Sequence, residues 1–152
     1  MFEEMMVRNC APTLAGIKVG SLFNCKCLCG RDVINVIRNL NKRLLPHGIR
    51  VIPMSFSDSA TLIYVYRPEK LNSYLSQDVF PHEIGLFLGY PAEDVKGFME
   101  HHAKGCKCTG CWKVYGDEKA AQELFDKYRK CTEIYCRLYG RGSSLEKLTM
   151  TA

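Results

Sequence analysis

No run of apolar residues in this sequence approaches the roughly 18 that would carry a helix across a bilayer. The first six residues lack the Lys or Arg and following apolar stretch of a secretory signal, and carry Glu3 and Glu4 instead. Both absences point to a soluble chain that works in the cytoplasm with no membrane partner. Repeats, low-complexity tracts and Pro/Gly/Ser-rich linkers longer than a turn are also missing, so one domain is the simplest organisation. A chain of 152 residues buries roughly 70% of its unfolded surface and needs no staple. Neither sign of charge dominates: a net +5 and a pI near 8.7 permit an anionic partner without demanding one. Apolar residues at 47% and charged residues at 24% exclude a disordered chain.

Cysteine is what the sequence has in abundance. Nine thiols in a chain without an export signal favour metal or redox chemistry over disulfides, since cytosolic thiols are kept reduced.

Periodicity supplies most of the elements. Val33, Val36, Ile37, Leu40 and Leu44 fall on one face of a helix opening near Asp32 and stopped by Pro46 and Gly48. Strands over 49–56 and 60–66 flank the turn Ser57, Asp58, Ser59 as an antiparallel hairpin, with Pro53 marking an edge or a bulge. Short helices follow from Pro68 to Leu75, from Pro81 to Gly89 and from Pro91, the last with Val95, Phe98 and Met99 on its buried side. Cys111 to Tyr115 reads as one further strand, with Trp112 and Val114 facing one way. Asp117 caps a long final helix whose apolar stripe runs from Ala121 through Tyr128, Cys131 and Tyr135 to Leu138, and the tail after about residue 140 reads as loosely held. The expected fold is α+β: a short antiparallel sheet, hairpin plus one strand, covered by several helices in a single domain.

Two stretches are more distinctive than composition predicts: CAPTLAGIK from Cys10 to Lys18 and FPHEIGLFLGYPAEDVKGF from Phe80 to Phe98. With GIRV, IYVYRP, WKVYGD and YRKC, they resemble, in order and over nearly the whole chain, the family known as domain of unknown function 3793. The resemblance implies an origin in anaerobic Gram-positive bacteria and an association with flavodoxin and ferrous-iron transport neighbours, but no activity. The chain departs from the family pattern at Asn9, in place of His, and at Cys111, in place of Tyr, so a function resting on its cysteines need not be the family's.

Three groups of residues carry the candidate chemistry. CKCLC would align Cys25, Cys27 and Cys29 along one edge if extended, and GCKCTGC adds Cys106, Cys108 and Cys111. The Thr109–Gly110 pair allows a C-x-x-C turn about one tetrahedral ion, and His101 and His102 are spare nitrogen ligands. Zinc or an iron-sulfur cluster would use four such groups if the fold brings the two segments together. The competing reading is that the cysteines pack as small hydrophobes. Cys131 and Cys136, about 140° apart around a helix, suit packing rather than chelation.

Cys10 forms the second group, as a nucleophile served by His82, Glu83 and Lys18, although His82 and Glu83 also suit the first turn of a helix. The third is IGLFLGYPAEDVKGFM, which has a helix-turn-helix outline but faces phosphate with Glu93, Asp94 and Glu100 against Lys96 alone, so specific duplex DNA binding is not expected. Tyr64, Tyr66, Trp112 and Tyr115 could stack on a flat ligand, or simply fill core. The sequence therefore favours a cysteine-dependent, metal- or iron-sulfur-binding accessory protein of anaerobic redox or iron metabolism, partnering a redox or iron-handling protein. A thiol enzyme using Cys10 with His82, or a protein- or nucleic-acid-interaction module, are the alternatives.

Overall fold

The computed structural model describes residues 1–26, 30–75 and 84–149. At its centre lies an antiparallel sheet in the order β1-β3-β2, formed by β1 (Gly20–Cys25), β2 (Arg50–Phe56) and β3 (Thr61–Tyr66). β2 and β3 are the expected hairpin, its turn closed by Ser57, whose backbone N–H donates to the Ala60 carbonyl. The register slips between Pro53 and Ser55, because proline has no N–H to give the ladder and the strand must bulge there.

The sheet's third strand is β1 rather than the segment after Cys111, and Phe23 faces Ile63 across the β1–β3 ladder. Ser21, Phe23 and Cys25 alternate inward, as a half-buried strand requires. The segment Cys111 to Tyr115 instead belongs to a separate ribbon of two two-residue strands, β4 (Cys108–Thr109) and β5 (Lys113–Val114). Its turn falls too early for a longer strand: Cys108 already pairs with Val114.

Helices cover this frame. α1 (Phe2–Leu14) carries no element in the sequence reading, since Pro12 disguises it, yet Met6, Val7, Cys10, Ala11 and Leu14 follow helical spacing and are buried. Pro12 sits in the last turn, where its missing N–H leaves only the Arg8 carbonyl without a helical donor. α2 (Arg31–Leu44) buries Val33, Ile37, Leu40 and Leu44, as the periodicity requires, and ends in a 3-10 turn over Leu45–His47. From α2, the Asn41 amide both donates to the Val51 carbonyl and accepts from the Val51 N–H, satisfying the free edge of β2 as a neighbouring strand would. α3 (Pro68–Leu75), α4 (Ile84–Phe87) and α5 (Ala92–Glu100) follow; the Pro81 start expected for the middle one lies outside the described residues.

α6 (Glu118–Gly140) is capped by Asp117, whose carboxylate accepts from the Ala120 N–H. Ala121, Tyr128 and Tyr135 of its stripe are buried, whereas Leu138 is exposed. Beyond residue 140, where the sequence reads as a loose tail, α7 (Leu145–Thr149) inserts Leu145 and Leu148 into the core.

Among the described residues two apolar clusters result. The larger joins α1, α2, the sheet, Tyr135 and α7. The smaller comprises Trp112, Val114, Ala121 and Tyr128, with Tyr90 and Phe125 packed on it. Each fully buried aliphatic or aromatic side chain contributes on the order of 1.5–3 kcal/mol, so the larger cluster holds most of the stability. Among the described residues no helix is long and apolar enough to cross a membrane.

Candidate functional site

Lys18 is placed by the way α1 ends. The Ile17 and Lys18 N–H groups both donate to the Pro12 carbonyl, at 2.9 and 3.1 Å. Gly16 reverses the chain at φ +77°, a conformation that side chains rarely adopt. Arg67, from the segment after β3, fixes the same corner by donating to the Thr13 carbonyl at 2.8 Å, and also to those of Leu14 and His47. These carbonyls lie at the ends of α1 and of the 3-10 turn; that of Thr13 also accepts from the Gly16 N–H at 3.1 Å, and the guanidinium adds donors where the helical N–H groups run out. A buried hydrogen bond of 2.8 Å between the Thr13 and Ser21 hydroxyls ties α1 to β1.

From this corner the Lys18 ammonium reaches toward the smaller cluster, with Nζ 5.8 Å from the Tyr90 ring centre and 5.9 Å from that of Tyr128. Both distances suit cation–π attraction. Burial pulls the amine below the usual lysine range, with the neighbouring Cys111 and, less, Cys10 opposing. None of the ion pairs among the described residues includes Lys18. Burial also pushes the Tyr128 phenol up to about 12, helped by Cys111, Tyr74 and Tyr90. It raises Tyr90 in the same way, again with Cys111 contributing. Lys18, Cys111 and these tyrosines therefore lie within electrostatic reach of one another.

Cys111 is held at the tip of the β4–β5 ribbon, and a buried carboxylate sets that ribbon's position. Asp94 on α5 accepts from the Trp112 indole N–H at 2.7 Å and from the backbone N–H groups of Tyr115 and Gly116, each at 2.8 Å. Gly97, one turn on, permits the close approach: a Cβ there would lie 2.4 Å from that of Tyr115. α5 thus turns Asp94, Val95 and Gly97 inward, and Phe98 and Met99, expected on its buried side, are 42% and 39% exposed.

Among the described residues Cys111 is common to the walls of two hollows that meet this ribbon. One is a mainly apolar cavity of about 300 Å³ lined by Tyr90, Val95, Phe98 and Trp112. The other is a cleft of about 340 Å³, also mainly apolar, where Phe125 and Tyr128 stand beside Asn9, Lys18, Thr132 and Glu133. An exposed thiol, a half-buried amine and aromatic walls give a site able to bind a small molecule and present a nucleophile to it.

The remaining sequence candidates are dispersed. Cys10 is 0% exposed inside α1, and burial drives its thiol far above the usual range, with Lys18 opposing, so at neutral pH it is a packed thiol. Its expected partners His82 and Glu83 lie outside the described residues, as do Cys27 and Cys29. Cys25 belongs to the larger cluster, whereas Cys108 packs on the smaller. Cys106 approaches the Thr109 hydroxyl at 3.5 Å. Among the described residues no three His, Cys, Asp or Glu side chains stand together as a metal site. His101 stacks on Tyr115, and His102 is in a left-handed turn. Cys131 and Cys136 both pack on the larger cluster. Tyr64 and Tyr66 stack on each other at 4.7 Å along β3, apart from the cluster that holds Trp112, so the four aromatics do not form one surface.

Sequence reasoning named Lys18 and Cys111 separately, but missed Tyr90 and Tyr128 as site residues. Tyr128 read as one more residue of the apolar stripe; the signal available was its phenol, which a purely apolar stripe does not need.

A family model described as "Protein of unknown function (DUF3793)" matches residues 6–79 and 74–149. No curated protein and no solved structure matches the chain.

Proposed function

The chain belongs to the DUF3793 family, and we propose that it is a cysteine-dependent accessory protein of redox metabolism whose working thiol is Cys111. One observation carries this reading: Cys111 is exposed and stands in the wall shared by the apolar cavity and the Lys18 cleft. The buried thiols Cys10 and Cys25 lack such access. A thiolate at Cys111 attacks one sulfur of a small disulfide, forms a mixed disulfide with the protein and expels the other half as a thiolate. The Lys18 ammonium attracts that negative charge during the approach.

Exchange with an aromatic disulfide reagent tests the proposal. The chain should show a rapid phase that disappears in Cys111→Ser and slows in Lys18→Met. A rapid phase untouched by Cys111→Ser would overturn it. Metal binding through the clustered thiols is the second reading, favoured by three cysteines on or beside one short ribbon. In that case CKCLC or His101 and His102 would complete the ligand set, and Cys106, Cys108 and Cys111 should exchange only after a chelator is added.

A further inference from the structure

The walls around Cys111 carry information about what the thiol meets. The apolar cavity of about 300 Å³ is at the small end of ligand sites, room for one ring rather than a large cofactor. Its walls are Tyr90, Val95, Phe98 and Trp112, and the Trp112 ring lies 5.0 Å from Tyr90. The carboxylate in this lining, Asp94, is already committed: both oxygens accept hydrogen bonds from the ribbon, so it offers an incoming group little. Across Cys111, the adjoining cleft presents the Lys18 ammonium. The other cation in that lining, Arg129, is paired with Asp126 at 2.8 Å, while Lys18 is in no ion pair among the described residues. Glu133, also in the lining, is exposed. A half-buried ammonium with no carboxylate partner among the described residues gains most from an anion brought to it with an apolar body attached.

We infer that the paired hollows bind a small organic carboxylate, its ring or apolar body under Trp112 and Tyr90 and its anionic head at Lys18, which sets such a molecule beside Cys111. This rests on the proposed function in naming the ligand class for the same site, but binding itself needs no thiol chemistry. Trp112 is the chain's single tryptophan and lines the cavity, so its fluorescence reports occupancy directly.

The test is a titration of Trp112 emission with 3-phenylpropionate, 3-phenylpropanamide and propionate. The acid should bind at least tenfold more tightly than the amide, and propionate should leave the emission unchanged over the same range. Lys18→Met should erase the advantage of the acid while leaving the amide's affinity in place, and Lys18→Arg should restore it. Equal binding of acid and amide by the parent chain, no response to either, or a preference that survives Lys18→Met would each overturn the inference. The parent comparison needs no variant, so a misfolded substitution cannot rescue it. Disulfide exchange at Cys111, scored separately, keeps the two readings apart. Rapid exchange without acid preference removes only the carboxylate site, and acid preference without rapid exchange removes only the thiol function.

Discussion

The two clusters of this molecule use the same residue types to opposite ends. In the larger one, cysteines are treated as small hydrophobes: Cys10 and Cys25 are both 0% exposed, packed among Met6, Val7, Leu14 and Ile63. In the smaller one, thiols ride on a ribbon of two-residue strands, Cys111 is exposed, and the polar groups around it remain accessible through a cleft. The contrast shows that cysteine density by itself says little about chemistry; what the backbone beneath each thiol buries decides its reactivity. On the proposed function, stability and chemistry would lie in different places, as binding sites are commonly mounted on less firmly packed segments.

If the larger cluster carries the fold, Ile63→Ala should be the most damaging change, costing about 2–5 kcal/mol in urea unfolding because β3 is central and cannot collapse around the void. Asp94→Ala tests the other side of the comparison. It leaves the Trp112 indole and two backbone N–H groups without their acceptor, a cost of about 2–3 kcal/mol that should fall on the ribbon. The near-ultraviolet dichroism of Trp112 should weaken while the far-ultraviolet spectrum is kept. Loss of both together would break the division into two regions.

Arg67→Met removes donors from three carbonyls at the corner joining the regions, and should cost about 2 kcal/mol in the same urea assay. It should also weaken any binding that depends on Lys18.

The smallest effect concerns the ion pairs that close the larger region. Arg43 on α2 donates to Glu3 on α1 and to Glu146 on α7. The hydrogen bond from Arg43 to Glu146, outweighing burial, holds the Glu146 carboxyl at about 2, below the ordinary 4.5. A depressed carboxyl stabilises fully above about pH 4.5 and loses that contribution as the pH falls toward 2. Because the pair is partly solvated, Glu146→Gln should cost only about 1 kcal/mol at pH 7. The gap between variant and parent should close between pH 4.5 and 2, which urea midpoints measured across that range would show.

Local pattern made much of this legible in the sequence. The β2–β3 hairpin, the bulge at Pro53, the inward face of α2 and the Asp117 cap each depend on residues within a few positions of one another, where periodicity and turn chemistry act. α1 was hidden because Pro12 looks like a break until its position in the last turn is known. β1 was hidden because its partner lies some forty residues away, and nothing local distinguishes a paired strand from a loop. The outward turn of Phe98 and Met99 follows from Asp94, whose burial only makes sense once the ribbon's N–H groups are beside it. The site was legible residue by residue but not as an assembly. Lys18 meets Tyr90, Tyr128 and Cys111 only because the end of α1, the start of α5, α6 and the ribbon converge.

The central claim is that exposure on the ribbon, not cysteine content, makes one thiol the working group. Timed iodoacetamide labelling of the folded chain, with each cysteine read separately by mass spectrometry, tests it most directly. The account predicts that Cys111 labels well before Cys131 and that Cys10 labels last, only as fast as the core opens. Labelling of Cys10 as early as Cys111 in the folded chain would contradict it.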